Sequence, residues 1–264
     1  AKYLGMSKIS SLNKAKLAER LIDEYQALVE EKMSLYDEER YKLLKSCADN
    51  NGVRIVSQIG EKTAYKLGYF LQSGILFSTV KDEEVIMIMP EVVQKLVKEK
   101  NNIQYRGMIK ANTEIINLYR GMNKAYGLLK LKDLIRIFKT YDLNEHSRIE
   151  ELITSAQDYY REYEIQGMFY INCFIDNWVD LLREIEQKTH MDYAVISKEE
   201  LLNMASENYI YEADFGETFF KEFLNMFNME IEILEGLMES LYLEIQENDF
   251  EDVMNEILEQ LEDD

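Results

Sequence analysis

The sequence has few of the residues that interrupt or cross-link a fold. Its 264 residues include one proline, 11 glycines and two cysteines. Because proline and glycine break helices, their scarcity favours a mainly helical chain. Cys47 and Cys173 are too few for a disulfide framework, so we expect a cytoplasmic location. No apolar run approaches the ~20 residues that cross a bilayer, so we expect no membrane contact.

Motifs for catalysis and metal binding are also missing from the sequence. His146 and His190 belong to neither an H-E-x-x-H motif nor a Glu-x-x-His pair. Phosphate-binding loops and nucleophile elbows of the usual patterns do not occur. Carboxylates are abundant, but on helix faces they are usually solvated. The sequence therefore predicts a protein that is not an enzyme and binds no cofactor and no metal.

The charge is distributed unevenly along the chain. The formal net charge is −20. Residues 1–150 contain 25 Lys/Arg and 20 Asp/Glu, which leaves 5 and 30 for residues 151–264. This asymmetry indicates separate partners for the two halves. Well-solvated helix faces are the alternative explanation, since acidity also favours solubility.

A helix followed by a pair of strands is predicted in the first half of the chain. Residues 61–74 have helical apolar spacing. One face has Ala64, Leu67, Gly68 and Leu71, and the other, which we expect to face outward, has Lys62, Lys66, Tyr69 and Ser73. The runs ILFSTV and VIMIMP, separated by KDEE, predict a β-hairpin at about 75–90. This order is typical of a winged helix, a fold often used to bind DNA.

A similar order of elements recurs further along the chain. Helices are predicted over NTEIINLYRGMNKAYG, LKLKDLIRIFKTY and HSRIEELITSAQDYY, and REYEIQGMFYINCF predicts a hairpin at about 162–174. The inward residues of the third helix are predicted to be Ile149, Leu152, Ile153 and Ala156. We therefore expect a mainly α protein with tandem winged-helix-like domains and small β-hairpins, followed by an acidic helical domain.

Capping residues mark several predicted helix ends. Asp37 is a candidate N-cap, and Asn51-Gly52 is a candidate stop for the helix that follows it. Ser197 and Glu200 form a capping box before another helix.

Any direct contact with nucleic acid is predicted to use the first hairpin and its helix. The candidate phosphate-binding residues are Lys62 and Lys66 on the helix and Lys81 on the hairpin. The equivalent helix of the second repeat carries Glu150 and Glu151 beside Arg148, so we do not expect it to bind nucleic acid.

Two longer runs resemble a known family. AKYLGMSKISSLNKAKLAERLIDEY resembles the Rho termination factor N-terminal-like (SAP-like) module, and YAVISKEELLNMASENYIYEADFGETFFKEFLNMF resembles a segment of Firmicutes proteins that contain this module. In these proteins the module precedes winged-helix-like regions and often a C-terminal SEC-C zinc motif. The resemblance implies a bacterial or phage protein associated with nucleic acid. The cysteine cluster of the zinc motif is missing here, so the resemblance implies no zinc.

Together these patterns divide the chain into predicted domains. They are a partial Rho N-terminal-like helical segment (1–33), a winged-helix-like domain (34–103), a second one (111–190) and an acidic helical domain (191–264).

Two functions follow as hypotheses. The first is a non-enzymatic adaptor or regulatory protein associated with nucleic-acid processes, whose acidic helical half binds a basic protein. Its candidate partner-binding residues are Glu251, Asp252, Glu256 and Glu259. The alternative is direct DNA or RNA binding through residues 1–110, with Lys62, Lys66 and Lys81 on the phosphates. The sequence does not identify the partner or the oligomeric state.

Overall fold

The structure, a computed structural model, describes the chain in four long stretches and several short ones. The long stretches are 6–81, 83–175, 177–188 and 190–206, and the short ones are 209, 218, 221–223, 225, 237, 241 and 253–255. The chain divides into two compact units. Unit 1 comprises Ala1–Asn117 with Lys130–Tyr170, and unit 2 comprises Leu118–Leu129 with Ile171–Asp264. The predicted domain boundaries stay a prediction.

Helices account for most of the described residues. They are α1 (Lys14–Ser34), α2 (Glu38–Asp49), α3 (Glu61–Gln72), α4 (Glu91–Glu99), α5 (Ile103–Tyr126), α6 (Leu131–Thr140), α7 (His146–Tyr160), α8 (Trp178–Gln187) and α9 (Lys198–Met204). The strands are β1 (Val53–Ile55), β2 (Phe77–Lys81), β3 (Glu84–Ile88), β4 (Leu128–Lys130), β5 (Tyr163–Gln166) and β6 (Phe169–Asn172). The prediction of a mainly helical protein with small hairpins is confirmed.

Two predicted capping residues lie at helix N-termini and cap them. The Asp37 carboxylate accepts a hydrogen bond from the backbone N–H of Arg40 at 2.8 Å and so caps α2. Ser197 caps α9 in the same way, through the N–H of Glu200 at 3.1 Å. After α2 the chain turns through Gly52, whose φ of +73° favours glycine.

The first sheet is antiparallel, and its strands lie in the order β1-β3-β2. Ile88 is opposite both Val53 of β1 and Phe77 of β2, so these three residues form one row across the sheet. The hairpin β2–β3 confirms the strands predicted at about 75–90. The short third strand, β1, was not predicted.

The second sheet has the order β4-β6-β5. The hairpin β5–β6 confirms the prediction at about 162–174. The helix predicted to begin at Leu129 begins two residues later, because Leu128–Lys130 is the strand β4 and α6 begins at Leu131. Pairing with β6 outweighs the helical spacing of Leu129 and Lys130.

The core of unit 1 brings together residues from α1 to α5 and from α7. Its largest fully buried apolar side chains include Met33, Tyr36, Leu44, Leu67, Phe70, Ile75, Leu76 and Tyr159. On α7 the inward face is as predicted, since Ile149, Leu152, Ile153 and Ala156 are fully buried.

The prediction that the second face of α3 points outward was wrong. Tyr69 is half-buried and Ser73, just after the helix, is buried, because this face packs against α7. The ring centroids of Tyr69 and Tyr159 lie 5.4 Å apart in an edge-to-face contact. The buried residues of α3 are Leu67, as predicted, and Phe70.

Unit 2 has its own internal contacts. Helix α9 approaches α5 so closely at Gly121 that a β-carbon there would overlap the carbonyl oxygen of Leu201. The Asn172 side chain donates to the carbonyl of Asn123 at 3.3 Å, and the Tyr126 hydroxyl donates to the carbonyl of Ala194 at 2.8 Å. None of the helices in the described stretches combines the length and apolar character needed to cross a bilayer.

Candidate interaction surfaces

A buried guanidinium joins three helices of unit 1. The Nε atom of Arg40 donates to Asp37 Oδ2 at 3.0 Å, and both side chains are almost fully buried. Its Nη2 atom donates to the Leu35 carbonyl at 2.8 Å, and its Nη1 atom donates to the Ser155 carbonyl on α7 at 2.9 Å. Nη1 also lies 3.4 Å from the Tyr69 hydroxyl on α3. Because Arg40 contacts the end of α1, α3 and α7, it fixes their arrangement.

The electrostatics of this cluster keep Arg40 charged. Burial by itself disfavours the guanidinium charge, but the Asp37 carboxylate and neighbouring tyrosines hold the Arg40 pKa above its usual value. Burial raises the pKa of Tyr36, whose ring lies 5.2 Å from the guanidinium carbon. Burial and the nearby Glu39 likewise raise the pKa of Tyr159. Both tyrosines therefore remain neutral at physiological pH.

A second polar cluster adjoins the first and contains one of the predicted phosphate-binding residues. Glu39 Oε1 accepts hydrogen bonds from the Lys66 ammonium at 2.5 Å and from the Tyr159 hydroxyl at 3.0 Å. The Tyr160 hydroxyl donates to Asp37 at 3.1 Å. Only 18% of the Lys66 side chain is exposed. The expectation that Lys66 faces outward was therefore wrong, because Glu39 and α7 hold it at an internal contact.

The other predicted site residues are placed differently. Lys81 is exposed at the end of β2, where its register partner is Glu84, and it makes no ion pair with any residue of the described stretches. The side chain of Lys62 lies outside the described part of the chain. Glu251, Asp252, Glu256 and Glu259 are also outside the described residues.

One face of the first sheet exposes apolar side chains. It contains the row Val53–Ile88–Phe77, with Phe77 51% exposed, and the half-buried Ile55 and Ile86 of the next row. We call these five residues the apolar sheet face. Contiguous exposed apolar surface of this kind marks interaction sites in many soluble proteins.

The end of the hairpin exposes two further apolar side chains on the opposite face of the sheet. Val80 and Val85 are opposite each other in the β2–β3 register, and they are 69% and 45% exposed. The segment that joins the strands has the sequence Lys-Asp-Glu-Glu at residues 81–84, a net charge of −2. The hairpin that carries Phe77, Ile86 and Ile88 therefore ends in a small acidic turn.

A cavity whose lining residues are mostly polar opens between α1, α3 and α7 of unit 1. It has a volume of about 250 Å³ and is lined by Lys32, Leu35, Tyr69, Gln72, Ser73, Thr154, Ser155 and Asp158. Burial lowers the pKa of Lys32, and the carboxylates of Glu31 and Asp158 offset this only in part. Neither Lys32 nor Asp158 makes an ion pair with any other residue the structure describes.

Within the described residues, no group of three or more His, Cys, Asp or Glu side chains is arranged so that it could hold a metal ion. Cys47 is buried, and Cys173 is exposed after the second hairpin.

Comparison of the chain with protein-family models, with curated proteins and with solved structures finds no match in any of the three. The resemblance to the Rho N-terminal-like family stays a prediction.

Proposed function

We propose that the chain is a non-enzymatic adaptor associated with nucleic-acid processes, and that it acts through protein–protein contacts. The observation that carries this proposal is the apolar sheet face. Full burial of a Phe side chain contributes roughly 1.5–3 kcal/mol, and because Phe77 is 51% exposed, covering it in a complex contributes about half of this. Exposed aromatic side chains are enriched at the centres of protein interfaces.

The charge next to this face defines the partner more closely. The acidic turn 81–84 lies at the end of the hairpin that carries Phe77, Ile86 and Ile88. A partner segment with apolar residues followed by Lys or Arg would match both features, since opposite charges at the rim speed association and select the partner. The strongly acidic composition of residues 151–264 favours a basic partner as well, and we include Glu251, Asp252, Glu256 and Glu259 as a second contact in this proposal.

The order of elements supports a further part of the proposal, namely that the chain contains two winged helices in tandem. In the first case the order is α2, β1, α3 and the hairpin β2–β3, and in the second it is α5, β4, α6, α7 and the hairpin β5–β6. In both cases the short first strand pairs with the last. In this arrangement α3 occupies the position of a recognition helix. Its Lys66 is engaged by Glu39, which favours a protein-binding use of the fold over a phosphate-binding one.

Substitution of Phe77 tests the adaptor proposal. We expect selection from a displayed library of random peptides to enrich segments in which apolar residues adjoin Lys or Arg. Phe77→Lys should weaken binding of such a peptide to the full chain by about tenfold or more, because a loss of 1.4 kcal/mol corresponds to a factor of ten. The measurement is the Kd of a labelled selected peptide by fluorescence anisotropy.

The matched control is Ser78→Lys, which adds the same charge to the same strand on the opposite face of the sheet. Its Kd should stay close to that of the unsubstituted chain. Equal loss in the two variants, or enrichment of peptides without apolar residues, would contradict the proposal.

Direct nucleic-acid binding is the second candidate, and the exposed Lys81 is the observation that favours it. If it holds, the full chain should bind short duplex DNA or single-stranded RNA with a steep dependence on salt, and Lys81→Glu should reduce both the affinity and that dependence. We expect instead that Lys81→Glu leaves nucleic-acid affinity unchanged within error. A clear loss of affinity would favour the second candidate.

A further inference from the structure

We infer that the cavity between α1, α3 and α7 is a binding site for a small zwitterion of amino-acid size, with the ligand carboxylate on Lys32 and its ammonium group on Asp158. This site is distinct from the apolar sheet face, and the inference does not depend on the adaptor proposal.

The first argument is the pair of opposite charges on the cavity wall. Lys32 lies in the last turn of α1, and Asp158 lies in the last turn of α7. Each lacks an ion-pair partner among the described residues, yet they are near enough for Asp158 to favour the charged form of Lys32. Burial disfavours the charged form of Lys32, and a ligand carboxylate beside its ammonium group would stabilise that charge.

The second argument concerns the hydroxyl groups of the cavity. The hydroxyl of Ser73 donates to the carbonyl of Phe70 at 3.2 Å, and that of Ser155 donates to the carbonyl of Leu152 at 2.8 Å. The Tyr69 hydroxyl is directed to the Ser155 carbonyl at 3.3 Å. The Ser155 and Tyr69 oxygens also accept from Arg40 Nη1, at 3.3 and 3.4 Å, whereas the Ser73 oxygen offers its lone pairs to the cavity. A ligand group that donates a hydrogen bond, as an ammonium group does, therefore fits beside Ser73.

The third argument is the rigidity of that floor. Arg40 lies behind it and donates to the Ser155 carbonyl at 2.9 Å and to Ser155 Oγ at 3.3 Å. Its Nη2 atom also holds the carbonyl of Leu35, another residue of the cavity wall. Side chains and backbone fixed in this way lose little freedom when a ligand binds, which favours affinity for a small molecule.

The size of the cavity limits the ligand. A volume of about 250 Å³ is slightly below the roughly 300–1,000 Å³ of sites for drug-sized molecules. It is several times the roughly 30 Å³ occupied by one water molecule. A free amino acid fits within this volume.

The experiment screens free L-amino acids against the full chain by saturation-transfer NMR and measures the Kd of each binder by calorimetry. We expect at least one amino acid to bind, with affinity that falls by about tenfold or more in Lys32→Met and in Asp158→Asn. Lys95→Met, which removes an exposed lysine from α4 away from the cavity, is the control and should bind as the unsubstituted chain does.

Two related probes separate a zwitterion site from a site for one charge. One probe is the amine that lacks the carboxylate of the bound amino acid, and the other is the carboxylic acid that lacks its ammonium group. Each should bind at least about tenfold more weakly than the amino acid itself. Circular dichroism verifies that both substituted chains are folded. Absence of binding by every amino acid, retained binding in the two folded variants, or equal binding of a singly charged probe would overturn the inference. Peptide binding at the apolar sheet face is measured separately, so a negative result for one proposal does not affect the test of the other.

Discussion

Replacing Arg40 with methionine should destabilise the protein by about 3–5 kcal/mol, the range for removing one partner of a buried ion pair. The substitution leaves the Asp37 carboxylate almost fully buried without its cation. It also removes the donors to the carbonyl groups of Leu35 and Ser155. Denaturant unfolding followed by circular dichroism measures the change in the free energy of unfolding.

Lys42→Met is the matched control for this prediction. Lys42 lies on the same helix and pairs with Glu38 on the surface at 3.4 Å, so its loss should cost at most about 1 kcal/mol. Adding Asp37→Asn to Arg40→Met should cost less than the sum of the two single changes, because the uncompensated charge is then removed. Similar losses in Arg40→Met and Lys42→Met would show that Arg40 is not the centre of this helix arrangement.

Gly121→Ala should destabilise unit 2 by about 1–3 kcal/mol, as overpacking of a closely packed contact does. The new β-carbon would overlap the carbonyl oxygen of Leu201 and lie 2.7 Å from its carbonyl carbon. Because these are backbone atoms, they cannot rotate away, and α9 must move. Trp178, the single tryptophan of the chain, lies in unit 2, so its fluorescence reports the unfolding of this unit.

Gly107→Ala on the same helix is the matched control. No atom lies within 4 Å of a β-carbon at that position, so the change should stabilise α5 by up to about 1 kcal/mol through helix propensity. Equal effects of the two substitutions, in either direction, would contradict the close approach of α9 to Gly121.

Local patterns predicted much of the secondary structure. On α7 the apolar spacing predicted the four fully buried residues, because a helix with one buried face needs apolar residues at three and four spacing. The turn residues Lys81–Glu84 and Gln166-Gly167 marked both hairpins. Asp37 was recognised as an N-cap from its residue type, and its carboxylate does cap α2.

Contacts between distant segments could not be predicted in the same way. Lys66 has the spacing of an exposed residue, but its partners are Glu39, 27 residues earlier, and the ring of Tyr159 on α7. The strands β1 and β4 are only three residues long, too short for an alternating pattern to identify them. Their conformation depends on pairing with β3 and β6.

The candidate sites were also missed at the level of sequence, although one signal was present. The run Val85–Met89 is apolar at every position, so whichever face of a small sheet is buried, the other must expose apolar residues. Ile88 is exposed for this reason, while Met87 on the other face is buried. The cavity gave no comparable signal, because its wall is assembled from three helices that are far apart in the chain.

The most direct test of the central claim is the salt dependence of binding by the full chain, measured for a selected apolar–basic peptide and for a short DNA duplex in parallel. We predict that the peptide binds with a shallow dependence on salt, because burial at the apolar sheet face provides most of its affinity, and that Phe77→Lys abolishes this binding. The duplex should bind only weakly, with an affinity that does not depend on Lys81. Tight duplex binding with a steep salt dependence that Lys81→Glu reduces, together with peptide binding that is unaffected by Phe77→Lys, would contradict the account.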